Sequence, residues 1–256
     1  MTQSEPCVFC TARAPGSEEH VISKWISRLL WKVSPLTPEH GALPPRGADG
    51  RRPRIRRIID LTTTAICGKC NNGWMSTLEN TAKGALTEAI SGQPFQIDSA
   101  LAAQLAAWSY MKALLAEAAL REAAGEPRAS WPAGLFREFD TFYWERRPPV
   151  GARVWLGHYD LADSWPELAG RVDLAELRFR RQGVDYSGCQ LLLTIGHMLV
   201  ISVRWDTQPP DYFELTNSPV PADSLIPLWP VQSGSSLWPP VAVSYQQLGM
   251  LSTWNG

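Results

Sequence analysis

The sequence predicts an α+β protein in which a long helix precedes a mostly antiparallel sheet. Three patterns indicate this class. Residues 98–124 form an Ala-rich run with helical periodicity, several runs after residue 150 have the composition of strands, and Gly196-His197 separates two of those runs as a hairpin turn would. With 256 residues, 45% of them hydrophobic, the chain can bury a core.

The amino-terminal elements alternate between extended and helical patterns. A strand-like or helical run covers residues 20–31, and a Pro- and Gly-rich stretch, residues 35–53, has the composition of a long loop. A basic strand is predicted at 54–59, followed by a β-branched run at 60–66. Residues 72–90 then predict a helix that Ser91-Gly92 closes.

The predicted long helix has clear start and stop signals. Asp98-Ser99 are favourable helix starters, and Gly125 and Pro127 stop the pattern. One apolar stripe is expected along it, formed by Leu101, Leu105, Trp108 and Leu115.

Beyond that helix the pattern indicates strands. They are expected at residues 154–159 and 174–180 and in a hairpin of 189–195 with 198–205. Eight prolines between residues 209 and 240 favour extended chain in the tail.

Charge divides the chain near residue 95. Residues 1–95 carry 12 Lys and Arg against 8 Asp and Glu, a net of +4, whereas residues 96–256 carry 12 against 17, a net of -5. We therefore expect a basic amino-terminal unit, 1–95, of the kind that binds phosphate, and a carboxy-terminal region, 96–256, whose role the sequence leaves unknown.

No run of the length and apolarity of a membrane span is present, and Met1 to Pro6 lack the charged-then-apolar pattern of a signal peptide. A cytoplasmic location without membrane partners is therefore expected. Thiols stay reduced in that compartment, so paired cysteines there favour metal binding over disulfides.

Four of the five cysteines form two Cys-x-x-Cys pairs. Cys7 and Cys10 make the first, Cys67 and Cys70 the second, with 56 residues between the pairs. Four thiolates suit tetrahedral Zn²⁺ and leave no open position for water, so this zinc would be structural and would join two remote pieces of chain. Reduced or redox-active pairs are the alternative.

Each pair is accompanied by a polar motif. Ser17-Glu-Glu-His-Val-Ile22 follows the first pair, and Asn71-Asn-Gly-Trp-Met-Ser-x-Leu-Glu79 follows the second. This arrangement, over about residues 7–90, resembles the HNH endonucleases, and its second motif looks like that of a bacterial and phage subgroup. That family also has a middle Asn, between its base and its last metal ligand, which usually orients the backbone loop of the base. The resemblance implies a zinc-stapled ββα-metal unit at the amino terminus and an endonuclease that hydrolyses phosphodiester bonds, with DNA as the expected substrate.

Phosphodiester hydrolysis needs a base that activates water and a cation that neutralises developing charge. His20 is the candidate base because imidazole titrates near neutral pH. By the resemblance, Glu19 and Asn71 would hold a catalytic Mg²⁺ or Mn²⁺, with Asn72 as a reserve ligand; their oxygens suit a hard cation.

Further residues are candidate nucleic-acid contacts. Arginines cluster at 46–57, and Arg pairs well with phosphate, although a solvated loop would have the same composition. Lys112 on the long helix either reaches the scissile phosphate or extends its charged end to solvent. Trp25, Trp31 and Trp74 either stack on bases or pack in the core. The proposed contacts are Arg51, Arg52, Arg54, Arg56, Arg57 and Lys112.

Two other functions remain open. The chain could be a catalytically inactive, zinc-stabilised nucleic-acid-binding module, which the lack of a clear middle Asn between Ile58 and Ala65 would suit. Alternatively, the carboxy-terminal half could bind a protein partner and carry the nuclease as an effector. The oligomeric state cannot be read from the sequence.

Overall fold

The structure is a computed structural model that describes residues 5–12, 18–33, 56–57, 61–161, 170–181, 183–206 and 220–253. It is an α+β protein with a mostly antiparallel sheet, as predicted. The helices in these ranges are α1 (Lys24–Val33), α2 (Gly68–Cys70), α3 (Ser76–Ile90), α4 (Ser99–Ala123), α5 (Ala133–Glu145) and α6 (Tyr245–Thr253). The strands are β1 (Glu19–His20), β2 (Arg56–Arg57), β3 (Thr62–Thr63), β4 (Phe95–Ile97), β5 (Arg153–Tyr159), β6 (Arg171–Arg181), β7 (Val184–Ile195), β8 (Met198–Trp205), β9 (Leu225–Trp229), β10 (Ser236–Trp238) and β11 (Ala242–Val243).

The long predicted helix is α4, and its start is set by a side-chain cap. The Asp98 carboxylate accepts a hydrogen bond from the Leu101 backbone N–H at 2.8 Å, which satisfies one of the donors that a helix start leaves free. Three members of the expected apolar stripe, Leu105, Trp108 and Leu115, are buried, but burial is not confined to that stripe. Residues 105–119 are all buried, because other elements pack around α4 on every side.

The main sheet contains seven strands. Its order is β11-β5-β8-β7-β6-β2, with β9 also paired to β5. Only the β11–β5 pairing is parallel. The predicted hairpin is present as β7 and β8, which turn at Gly196-His197, where Gly196 has φ +60. A positive φ costs glycine little because it has no Cβ.

Two small antiparallel sheets accompany the main one. Strand β1 pairs with β3, and β4 pairs with β10. The predicted basic strand at 54–59 is represented by β2, which pairs with β6; the predicted loop at 35–53 lies outside the described residues.

The hydrophobic core continues across the predicted boundary near residue 95. One cluster of buried side chains includes Phe9 and Ile26 from the first part and Trp108, Phe139 and Trp238 from the second. Helix α4 lies between them and contacts α3 on one side and several strands of the main sheet on the other.

A buried ion pair joins α4 to the main sheet. The Arg204 guanidinium donates to Glu117 through Nε at 2.6 Å and through a second nitrogen at 2.5 Å. Arg121 also donates to Glu117, at 3.0 and 3.1 Å, and Arg204 donates to Asp206 at 2.5 Å.

Within the described ranges, none of the helices has both the length and the apolar composition that a membrane-spanning helix needs.

Candidate metal centre and its surroundings

The four paired cysteines converge on one point. Their sulfur atoms all lie within 4.8 Å of one another, with 3.9 Å between Cys7 and Cys70 and 3.6 Å between Cys10 and Cys67. Zn–S bonds of about 2.3 Å in a tetrahedron place sulfurs about 3.8 Å apart. The cluster therefore has the spacing to hold a metal ion such as Zn²⁺, and none of the four cysteines is in a disulfide bond.

Short turns present both pairs to this point. In the first, the Thr11 N–H donates to the Cys7 carbonyl at 2.9 Å. In the second, the Asn71 N–H donates to the Cys67 carbonyl at 3.1 Å. The Cys67 N–H also donates to the Cys7 sulfur at 3.4 Å, which ties the two turns together.

The sulfur contacts favour a thiolate at Cys7. The contact with the Cys70 sulfur, 3.9 Å away, lowers the pKa of Cys7 to about 4. The same contact raises the pKa of Cys70, and burial raises that of Cys10. A bound cation favours the deprotonated form of every ligand, so metal binding would release protons from the remaining thiols.

Aromatic side chains surround the second cysteine pair. The ring of Trp74 lies 5.1 Å from Phe9 and 6.3 Å from Tyr143, measured between centroids. The Arg146 guanidinium lies 4.0 Å from the centroid of Trp74 and 4.4 Å from that of Tyr143. Trp74 is therefore half-buried among these side chains, whereas Trp31 is 50% exposed.

Glu19 and His20 form β1, on the chain between the two cysteine pairs. Glu19 is opposite Thr63 and His20 is opposite Thr62, and the Val21 N–H donates to the Leu61 carbonyl at 2.9 Å. Since β3 ends four residues before Cys67, this pairing holds the two motifs together. The His20 side chain is exposed and that of Glu19 is half-buried.

Asn71 and Asn72 begin a turn of π-helix, Asn71–Met75, between α2 and α3. Gly73 has φ -95 and ψ -112 there, so the helix axis is interrupted directly after the asparagines. Asn71 is half-buried and Asn72 exposed. Among the described residues, the four cysteines are the only group of three or more His, Cys, Asp or Glu side chains close enough to hold a metal ion.

A buried carboxylate connects α1, α3 and α4. Glu79 accepts hydrogen bonds from the indole Nε1 of Trp25 at 2.8 Å and of Trp108 at 3.4 Å, and it pairs with the Lys112 ammonium at 2.9 Å. Burial by itself raises the pKa of Glu79, but the Lys112 charge and the hydrogen bonds outweigh it and hold the pKa at about 2.

This contact gives Lys112 a partner inside the protein. Lys112 is 4% exposed, so the side chain considered from the sequence as a phosphate contact is enclosed between helices. The sequence did not single out Glu79 as its partner. The sequence did contain a signal that Glu79 needs a buried partner. Glu79 occupies the apolar face of α3, three and seven residues before the buried Ala82 and Leu86.

The predicted arginine contacts are mostly outside the described residues. This applies to Arg51, Arg52 and Arg54 and to the side chains of Arg56 and Arg57, whose backbone forms β2.

Comparisons of the chain with protein-family models, with curated proteins and with solved structures gave no match.

Proposed function

We propose that the protein is a metal-dependent endonuclease of the HNH kind that hydrolyses phosphodiester bonds in DNA. The observation that carries the proposal is the β1–β3 pairing, which ties the Glu19-His20 strand to the chain that leads into the second cysteine pair and Asn71. Helix α1 and strand β2 intervene along the chain between β1 and β3, and α3 follows the second cysteine pair. The two paired strands and α3 would form the ββα-metal unit, and the sulfurs of the four cysteines lie close together.

His20 is the proposed general base. Of the three histidines that the structure describes, only His20 is exposed; His158 and His197 stack on each other with centroids 5.4 Å apart in the main sheet. A base must reach the proton that it abstracts from water, so an exposed imidazole on a short, well-paired strand suits this role.

Glu19 and Asn71 are the proposed ligands of a catalytic Mg²⁺ or Mn²⁺. Their carboxylate and amide oxygens are suitable donors, and magnesium sites commonly combine one or two carboxylates with water and substrate phosphate. When bound, this cation would neutralise charge on the scissile phosphate and the leaving oxygen. Zn²⁺ at the four cysteines would serve only to hold the two motifs together.

The direct test is nicking of supercoiled plasmid by the full chain with added Mg²⁺ or Mn²⁺. We expect His20→Ala to lower the cleavage rate by about 10²- to 10⁴-fold, the usual contribution of a general base, with unchanged zinc content. Glu19→Gln should also lower the rate and raise the Mg²⁺ concentration needed. Glu18→Gln, an exposed neighbouring carboxylate, is the matched control and should cut as the wild type does.

Undiminished nicking by His20→Ala would remove this residue from the mechanism. Salt-dependent DNA binding without cleavage under any divalent cation would instead select the catalytically inactive module.

A further inference from the structure

One face of α1 carries positive charge along most of its length. Lys24, Arg28 and Lys32 are exposed and follow one another at intervals of four residues, and the helix contains no acidic residue. Residues four apart lie on the same face of an α-helix, about 6 Å apart along its axis. The three cations therefore form a row about 12 Å long.

The opposite face of α1 is fixed in the core. Ile26 is 0% exposed and Leu30 2% exposed, and Trp25 donates to Glu79 of α3. The row is thus held in a defined orientation on the protein. The face that holds Ile26 and Leu30 is already covered, which leaves the single indole of Trp31, 50% exposed, as the exposed large apolar side chain of α1 that could enter a lipid bilayer.

Lys83 of α3 adds a fourth cation to this surface. It is exposed, and its ammonium lies 5.1 Å from the ring centroid of Trp25 on α1. The exposed residues of α3 between Ser76 and Gly84 include no acid, because Glu79 is turned inward to Lys112. Among the described residues, none of these four cations forms a salt bridge with a carboxylate.

The row also begins next to the candidate base. Helix α1 starts at Lys24, four residues after the exposed His20 on β1. Four residues of chain span at most about 14 Å, so one end of a polyanion lying along α1 would be within about that distance of the His20 backbone. Lys and Arg on one helix face provide the charge and spacing for successive phosphates of a nucleic-acid backbone.

We propose that Lys24, Arg28 and Lys32, together with Lys83, bind the phosphate backbone of a DNA duplex and hold it beside His20. This inference rests on the proposed nuclease function and identifies the surface through which that function engages its substrate. Contacts of this kind give affinity and position without reading base sequence.

The test measures equilibrium binding of a labelled DNA duplex to the full zinc-loaded chain, without divalent cation so that no cutting occurs. Binding is followed between about 50 and 200 mM salt, a range over which phosphate contacts weaken strongly. Each of Lys24→Gln, Arg28→Gln and Lys32→Gln should reduce the slope of log K against log salt by about 0.9, and the triple variant by about 2.7. Lys83→Gln should have the effect of a single contact.

Glutamine preserves helix propensity, so these variants should keep the wild-type zinc content and unfolding temperature. Arg178→Gln is the matched control. Its side chain is 79% exposed on β6, where Arg178 is opposite Ser187, and its loss should leave the slope unchanged.

A wild-type slope in the triple variant would overturn the inference, as would failure of the wild-type chain to bind DNA. Loss of binding to phosphatidylserine vesicles with unchanged DNA binding would assign the row to a membrane surface and overturn it as well. Plasmid cutting by the wild type, together with an unaltered slope of log K against log salt in the triple variant, would support the proposed function and contradict only this DNA-binding surface. DNA binding through the row without cutting under Mg²⁺ or Mn²⁺ would support the DNA-binding surface and contradict the proposed nuclease function.

Discussion

The Glu79 carboxylate and the Lys112 ammonium lie 2.9 Å apart between α3 and α4, with side chains that are 12% and 6% exposed. Removing one member of a buried ion pair leaves the other charge uncompensated, which typically costs about 3–5 kcal/mol. We expect Glu79→Gln to lower the free energy of unfolding by about this amount in urea titrations. Glu88→Gln, an exposed position on the same helix, should change it by less than about 0.5 kcal/mol. Equal effects of the two substitutions would contradict the buried-pair interpretation.

The same pair should produce a distinct pH dependence. The pKa of Glu79 is held at about 2, below its ordinary value of 4.5, so the folded state binds this proton more weakly than the unfolded state does. Its contribution to stability is therefore complete above about pH 5 and is lost as pH falls towards about 2. The stability difference between wild type and the double variant Glu79→Gln/Lys112→Met should be constant near neutrality and change across that acidic window. A difference independent of pH would show that Glu79 titrates normally.

The four-cysteine cluster should bind one zinc ion per chain. Cys70→Ser removes a ligand and should release the metal and lower the melting temperature, because structural zinc contributes directly to folding free energy. Cys189→Ser is the control, since Cys189 is buried in β7 and lies outside the cluster. Metal content by mass spectrometry, with unfolding followed in parallel, decides the matter. Zinc retained in both variants would argue against the cluster as the site.

The Glu117–Arg204 pair should be energetically coupled. Both side chains are buried, and each has a second partner, Arg121 and Asp206 respectively. The single variants Glu117→Gln and Arg204→Met are each expected to destabilise the protein. In a double-mutant cycle their effects should depart from additivity by about 0.5–3 kcal/mol, the range for residues in one network. Strict additivity would mean that the second partners compensate fully.

The ends of α4 and the turn of the β7–β8 hairpin were predictable because local chemistry sets them, whereas β7 begins at Val184, five residues before the predicted start. Asp98 caps the helix start through its own side chain, and Gly196 supplies the positive φ of the hairpin turn. Helix α5 was not predicted. Its aromatic residues Phe139, Phe142 and Tyr143 suit a strand equally well, and packing against Tyr110 and Trp74 favours the helix instead.

The candidate site was partly predictable for a similar reason. The spacing within the two Cys-x-x-Cys pairs is sufficient to predict a metal site, and the structure brings all four sulfurs together. The pairing of β1 with β3 joins residues about 40 positions apart, and the contact between Glu79 and Lys112 joins residues 33 positions apart on two helices. Local pattern shows that a charge occupies an apolar helix face, but only the fold identifies its partner.

Helix α4, with residues 105–119 enclosed on all sides, affects how the molecule can come apart. Its apolar side chains pack against both the cysteine-bearing part and the main sheet. Removing either part would therefore expose a long hydrophobic surface of α4 to water. Unfolding should therefore proceed as a single cooperative transition, with equal calorimetric and van't Hoff enthalpies. A chain divided near residue 95 would yield two fragments that each lack part of the buried cluster that they share in the intact protein.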